Sequence, residues 1–245
     1  MELLAMKALA LALLISLPVA AQQVTYQVDG QDYQGYFAKA QGTAKGSVLL
    51  IHDWDGLTDY EVKRADMLAE QGYNTFAADL YGKGNRPVET QAKKEETGKL
   101  YKDRDKMRRL ILAGIDESKK LSTGEMVVMG YCFGGAAVLE LARSGEASDV
   151  KGYATFHGGL ATPEGQNYNK LSAPIFVAHG GADSAIPLTQ VSDLGVQLEA
   201  VKADYEIQIY SGAPHAFTVM GSPRYQEVAD KKSWSTFMGF LEQNL

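Results

Sequence analysis

The sequence feature that most constrains the fold is a cysteine flanked by glycines, at residues 130–135 (Gly-Tyr-Cys-Phe-Gly-Gly). A short apolar run precedes it at residues 126–129, and an apolar helical pattern follows it at residues 136–142. This order predicts a strand, a sharp turn and a helix, with Cys132 at the tip of the turn. Small residues on either side of the tip let strand and helix backbones approach closely. The pattern is typical of a nucleophile elbow, and the alternative interpretation is an ordinary buried cysteine.

Such a turn would place the Cys132 sulfur above the sheet, at the N-terminus of the following helix. The amide of Phe133 and the positive end of the helix dipole favour a thiolate and a developing oxyanion there. We expect Cys132 to be a nucleophile and Phe133 to supply one amide of an oxyanion hole. The second amide is expected from Trp54, in the loop after the buried strand at residues 47–51.

Short apolar runs alternate with helical patterns along most of the chain. This alternation predicts an α/β fold, with a mostly parallel central sheet and helices on both faces. An alternating segment at residues 24–38 predicts an antiparallel hairpin at the edge of the sheet. A long polar helical region at residues 89–120 is expected to break near Gly98 or Lys102, and the last helix is expected over residues 223–240.

Three residues that follow predicted strands supply the parts of a catalytic triad. A nucleophilic thiol needs a base within hydrogen-bond reach, and the base needs a group that orients it. Cys132, Asp183 and His215 occur in the chain order of the α/β-hydrolase triad. We therefore interpret His215 as the general base, then acid, and Asp183 as the carboxylate that fixes its tautomer.

The remaining polar candidates have more than one interpretation. His52, His157 and His179 also follow predicted strands and are interpreted as structural histidines. Asp53 is either a carboxylate close to the nucleophile or a turn or N-cap residue. The sequence contains no ordered set of metal ligands and no dinucleotide or phosphate loop, so we expect no metal and no cofactor. The residues expected to line the substrate pocket or, in the alternative, to pack in the core are Trp54, Tyr81, Phe133, His157 and Phe217.

The first 21 residues are expected to be a cleaved signal peptide. A lysine precedes an apolar run at residues 8–17, and small residues up to Ala21 form a cleavage site. The run is too short to anchor the protein in a bilayer, and a buried N-terminal helix is the alternative. A start at Met6 instead of Met1 would give a more typical signal. We expect a periplasmic or secreted protein with residues 22–245 as one domain.

Composition excludes some classes of partner. The chain has 245 residues and a net charge of −6, which suits one globular domain and argues against nucleic-acid binding. Cys132 is the only cysteine, so no intrachain disulfide can form. A single thiol in an oxidising compartment is unusual unless it has a function.

The sequence resembles the dienelactone hydrolase family of α/β-hydrolases over residues 24–240. The resemblance implies the triad of Cys132, His215 and Asp183, no cofactor, and hydrolysis of a lactone or activated ester through an acyl-thioester. The motifs that carry the resemblance are residues 52–57, 78–82, 130–135, 179–183 and 215–217.

Two departures from the family pattern concern the thiol and the substrate. The family commonly pairs a glutamate with the resting thiol, where this chain has Asp53. Dienelactone hydrolases also hold the substrate carboxylate with two arginines. The matching places here offer Lys83 and Arg86, as pocket cations, and then Thr218 and Val219, so the second cation is missing. The resemblance therefore implies a general ester or lactone hydrolase more strongly than a dienelactone substrate.

We expect a monomeric, exported hydrolase that acts on small carboxylic esters or lactones through Cys132, His215 and Asp183. Two alternatives stay open on the sequence. One is a binding or thiol-responsive protein with a hydrolase fold and no turnover, and the other is a thioesterase or acyltransferase.

Overall fold

The computed structural model describes residues 21–245, which contain an eight-stranded sheet and the helices that cover it. The predicted signal peptide lies outside the described residues except for Ala21. The strands are β1 (Gln22–Val28), β2 (Gln31–Ala38), β3 (Gly46–Ile51), β4 (Tyr73–Ala78), β5 (Met126–Tyr131), β6 (Val150–Phe156), β7 (Ile175–Gly180) and β8 (Tyr205–Tyr210). The helices are α1 (Asp59–Glu70), α2 (Thr90–Lys102), α3 (Arg104–Leu121), α4 (Phe133–Ser144), α5 (Leu188–Ala200) and α6 (Glu227–Asn244).

The sheet is parallel except at one edge. Its strand order is β1-β2-β4-β3-β5-β6-β7-β8, and only the β1–β2 and β2–β4 pairs are antiparallel. The predicted edge hairpin and the predicted parallel sheet are therefore confirmed. Strands β3, β4 and β5 are buried along their whole length, as expected for parallel strands covered on both faces.

Alternate residues of each central strand face two separate helical layers. Val48 and Leu50 belong to the apolar cluster that packs against α1 and α6. Leu49 and Ile51 belong to the cluster that packs against α3, α4 and α5. Because side chains alternate across a strand, one continuous apolar run supplies both cores. No helix of residues 21–245 is long and apolar enough to cross a membrane.

The long polar helical region is divided into two helices by a single aspartate, which caps the helix that follows it. Asp103 separates α2 from α3, and its side chain accepts a hydrogen bond from the Lys106 amide at 2.9 Å. The predicted break near Lys102 is confirmed. The last helix begins at Glu227, four residues later than expected, because the Gln226 amide donates to the Phe217 carbonyl and keeps the preceding segment in turns.

The elbow has the predicted strand–turn–helix geometry. Cys132 has φ 49° and ψ −111°, and its amide donates to the Phe156 carbonyl of β6 at 3.0 Å. A Cβ atom on Gly134 would lie 2.5 Å from the His52 carbonyl oxygen and closer still to that of Ile51. The helix can therefore approach β3 this closely only because residue 134 has no side chain.

We predict that Gly134→Ala lowers the free energy of unfolding by about 3 kcal/mol, because the added methyl group overlaps backbone that cannot move aside. Urea unfolding followed by circular dichroism measures the change. The control is Gly98→Ala in α2, where an added Cβ has no heavy atom within 4 Å. That change should stabilise the protein by roughly 0.5–1 kcal/mol through helix propensity. Equal stability of the two variants would contradict the packing argument.

Candidate active site

Three loops at the carboxyl ends of strands bring Cys132, His215 and Asp183 into hydrogen-bond contact. His215 Nε2 lies 3.1 Å from Cys132 Sγ, and His215 Nδ1 lies 2.8 Å from Asp183 Oδ2. The second carboxylate oxygen of Asp183 accepts from the amides of Ala185 and Ile186, both at 2.9 Å. Because Asp183 can only accept, the proton of His215 lies on Nδ1, and Nε2 is left to accept the thiol proton.

Asp183 stays ionised in this setting. Burial on its own would raise the pKa of Asp183, but the hydrogen bond from His215 and the amides of Ile186 and Ala185 outweigh burial and lower it. The buried carboxylate can therefore orient the imidazole and stabilise its protonated form.

The resting thiol is neutral. Burial raises the pKa of Cys132 to about 12, although a hydrogen bond from the Phe133 amide acts in the opposite direction. Burial thus outweighs the helix N-terminus that was expected to favour a thiolate. A nucleophilic role for this thiol would therefore need a general base to remove its proton, and His215 Nε2 is the group in hydrogen-bond contact with it.

The two amides expected to form the oxyanion hole belong to Phe133, at the start of α4, and to Trp54, in the loop after β3. The Phe133 amide is directed at the Cys132 sulfur. Trp54 is fixed in its loop because its carbonyl accepts from the Tyr81 hydroxyl at 3.1 Å. Within residues 21–245 no hydrogen bond of the Trp54 amide is found, so this donor is free for an oxyanion.

Asp53 is buried near the thiol, but its hydrogen bonds run to other partners. Its Oδ1 accepts from the Asp55 amide at 3.1 Å, and its own amide donates to Glu61 at 3.3 Å. The three carboxylates of Asp53, Asp55 and Glu61 lie within 4.8 Å of one another, and Lys93 pairs with Asp55 at 3.1 Å. Burial, then the hydrogen bond with Asp55 and the charge of Glu61, raise the pKa of Asp53 to about 10. Asp53 is therefore a neutral acid at neutral pH.

Two of the other histidines have no contact with the thiol. His52 Nδ1 donates to the Asp53 carbonyl at 2.6 Å, and its Nε2 accepts from the Leu80 amide at 3.1 Å. These bonds make it the structural histidine that was expected. His179 is fully buried at the end of β7, and within residues 21–245 neither of its ring nitrogens has a hydrogen-bond partner.

His157 differs from them because its ring packs against His215, with centroids 5.4 Å apart. It is fully buried and lies behind the imidazole, so it does not line the open side of the site. Phe217 is also fully buried, and its ring packs on His157 and Tyr210. Its contacts are those of a core residue. Tyr81 and Phe133 are nearly buried and pack on each other, with ring centroids 5.9 Å apart.

The two candidate pocket cations before α2 make their hydrogen bonds outside the triad. Lys83 is exposed, and its amide donates to the Asp32 carbonyl in the edge hairpin. Arg86 is used by the protein itself, because its guanidinium donates to the Asp79 carboxylate and to backbone carbonyls that include Asn85 and Leu57. Neither side chain has a hydrogen bond to the triad in the described part of the chain.

Two residues near the thiol were missed by the sequence analysis. Tyr101, near the end of α2, is 38% exposed and packs edge-on against Phe133 with ring centroids 5.4 Å apart. The positive charge of Arg224, which is exposed in the loop before α6, lowers the pKa of Cys132. No motif marks either residue, because both approach the site only through the folding of distant segments.

A model of the dienelactone hydrolase family matches residues 33–245 of the chain. The chain belongs to this family. A carboxymethylenebutenolidase of Rhodococcus opacus is 24% identical over 231 residues, which cover 88% of this chain and 88% of that protein.

Solved structures agree with the family assignment. A dienelactone hydrolase-like promiscuous phosphotriesterase from metagenomic libraries is 25% identical, with a TM-score of 0.82 over 92% of this chain and 98% of that one. A Pyrococcus horikoshii acylaminoacyl peptidase, at 17% identity and a TM-score of 0.71, covers 92% of this chain and 42% of its own and shows the fold alone. The α/β-hydrolase fold and the family resemblance are confirmed, and this member of the dienelactone hydrolase family is a hydrolase of lactone or ester bonds.

We predict that Asp53→Asn changes how stability depends on pH. In the unfolded chain an aspartate ionises near pH ~4, whereas folded Asp53 keeps its proton up to a pKa of about 10. The stability that this group contributes is therefore complete below the unfolded pKa and is lost as pH rises towards the folded pKa. Asparagine cannot ionise, so the variant should lose less thermal stability than the wild type between acidic and alkaline pH.

Thermal unfolding followed over a pH series measures this difference. Glu61, whose pKa burial raises to about 7, contributes a slope of its own in both proteins, so the two curves are compared above that pKa, where Glu61 is already ionised. Asp204→Asn, which removes an exposed aspartate, controls for the change in net charge. Parallel curves for Asp53→Asn and wild type would show that Asp53 is ionised in the folded protein.

Proposed function

We propose that this protein hydrolyses small carboxylic esters or lactones through a Cys132 nucleophile and an acyl-thioester intermediate. The observation that carries the proposal is the continuous hydrogen-bonded chain from Cys132 Sγ through His215 to Asp183, at 3.1 Å and 2.8 Å. A protein that only binds a ligand has no need of such a chain, because its one chemical consequence is proton transfer from the thiol.

In the first half of the reaction, Cys132 attacks the substrate carbonyl carbon while His215 Nε2 takes the thiol proton. The carbonyl oxygen becomes an oxyanion, which the amides of Phe133 and Trp54 stabilise. The tetrahedral intermediate collapses, the ester C–O bond breaks, and protonated His215 gives its proton to the leaving oxygen. An alcohol is released from an ester, whereas a lactone remains attached as a hydroxyacyl group.

In the second half, water replaces the leaving alcohol. His215 removes a proton from water, the hydroxide attacks the thioester carbon, and the C–S bond breaks with return of the proton to sulfur. The carboxylic acid leaves and the thiol is restored. Asp183 stays ionised throughout and stabilises each imidazolium that forms.

The same residues favour oxygen esters and lactones over peptides as substrates. The resting thiol is neutral and half-buried, so attack depends on proton transfer to His215 alone. A carbonyl that is already electrophilic lowers the demand on this step, and an activated ester or a strained lactone has such a carbonyl.

We also propose that the protein is exported and works as a monomer outside the cytoplasm. The apolar run at residues 8–17 and the small residues before Gln22 support export, and the presence of one unpaired cysteine is compatible with it. Mass spectrometry of the protein purified from its native host tests this proposal. A mature chain that begins at Gln22 is expected, and a chain that retains residues 1–21 would contradict export.

We predict that brief exposure to p-nitrophenyl acetate adds one acetyl group to the wild-type protein and releases p-nitrophenol continuously. Cys132→Ala should gain no mass and lose at least about a thousandfold in kcat/KM, because the nucleophile is gone. His215→Ala should lose nearly as much, and Cys132→Ser should keep little activity. Intact-protein mass spectrometry and absorbance at the nitrophenolate band give the two readouts.

The outcomes separate the alternatives. A Cys132→Ala variant with full activity contradicts the nucleophile assignment. Alkylation of Cys132 without acylation or turnover of any ester in a series of acyl lengths would favour a thiol-responsive protein instead. Faster turnover of acyl thioesters than of the matched oxygen esters would favour a thioesterase.

A further inference from the structure

His157 occupies a strained and fully buried position directly behind His215. Its φ is 41°, in the left-handed region that residues with side chains rarely adopt, and its ring meets the His215 ring at 66° and 5.4 Å. The unfavourable backbone conformation thus occurs at the residue whose imidazole packs against the proposed base. A hydrophobic side chain could fill the same space without any polar partner.

One ring nitrogen of His157 reaches the loop that carries His215, and the other, Nδ1, has no hydrogen-bond partner among residues 21–245. His157 Nε2 lies 2.7 Å from the hydroxyl of Thr218, three residues after His215, and the Tyr60 hydroxyl of α1 lies 2.6 Å from the same oxygen. The Thr218 carbonyl accepts from Arg64 at 2.7 Å. Thr218 is thus held from β6 and from α1 at once, and the loop between His215 and Thr218 has little freedom to shift.

A buried ion pair keeps the α1 end of this arrangement in place. Arg64 is fully buried, pairs with Asp230 of α6 at 2.5 Å, and lies over the rings of Tyr60, Tyr131 and Trp234 at 5.1–5.8 Å. Tyr131 directly precedes Cys132. The same guanidinium therefore touches the strand that ends in the nucleophile and the loop that holds the base.

His157 remains uncharged while His215 gains and loses a proton. Burial, and then the positive charges of His215, Arg64 and Arg224, lower the pKa of His157 far below its ordinary value. Tyr60 and Tyr131, the other titratable groups against it, are also neutral because burial raises the pKa of both. The imidazolium of His215 consequently packs against a neutral ring.

We propose that His157, Thr218 and Tyr60 form a positioning relay that holds the His215 imidazole in line with the Cys132 thiol. The proposal rests on the role of His215 as the base in the proposed function. The relay residues touch neither the sulfur nor the substrate. They act through the loop of His215, by fixing where its Nε2 lies.

The test is Thr218→Val, which removes the shared hydroxyl and keeps the backbone carbonyl that Arg64 binds. With p-nitrophenyl acetate we expect kcat to fall roughly tenfold with KM within about twofold of wild type, because a misplaced base slows chemistry and not binding. Thr218→Ser restores the hydroxyl and should recover most of the lost kcat. Tyr60→Phe, which removes only the far end of the relay, should give a smaller loss.

Two further measurements separate the relay from general destabilisation and from failure of the proposed function. Assays are run well below each unfolding midpoint, and a loss of kcat that follows the midpoint equally in the Ser and Val variants overturns the relay. The rate of Cys132 alkylation by iodoacetamide, measured against pH, reports on the His215–thiol contact without any ester.

If wild type hydrolyses no ester but Thr218→Val still slows alkylation, the result supports the relay and contradicts the hydrolase mechanism. If Thr218→Val does not fold, Tyr60→Phe decides the matter by the same two readouts. Folded Thr218→Val or Tyr60→Phe proteins with wild-type kcat and a wild-type alkylation profile overturn the proposal.

Discussion

The close approach of α4 to the carboxyl end of β3 is the constraint on which the candidate site depends. Gly134 lies against the carbonyls of Ile51 and His52, and Gly135 lies against Gly158 at the end of β6. With any side chain at these positions the helix would move outward and carry Cys132 with it. The same contact brings the loop of Trp54 to the elbow, so one packing contact positions the proposed nucleophile and both proposed oxyanion donors.

Most of the ionisable groups around the thiol are uncharged in the folded protein. Asp53 keeps its proton, Cys132 keeps its proton, and His157 remains uncharged, all three chiefly because desolvation disfavours their charged forms. Asp183 is the exception, since its hydrogen bonds compensate for its burial. Electrostatic interactions are strong in such a weakly polar setting, and a charge that develops during reaction is therefore felt mainly by groups already oriented towards it.

The sequence predicted the parts of this molecule that local patterns determine. Continuous apolar runs identified the buried strands, the glycines around Cys132 identified the elbow, and chain order paired Asp183 with His215. Arg64 could not be predicted in the same way, because its burial depends on Thr218 and Asp230, 154 and 166 residues away. The sheet order and the approach of Tyr101 to Phe133 could not be predicted for the same reason, since the periodicity of one helix carries no information about its distant partners.

The single-residue joint at Asp103 has a consequence for how members of this fold can diverge. Helix α2 has Leu100 as its only buried residue, yet it carries Tyr101 to the edge of the site, and α3 begins anew from its own cap. Substitutions along α2 therefore cost little core packing and pass little strain into α3. The sequence of α2, and with it the wall of the site, can therefore change in evolution while the elbow at Cys132 stays the same.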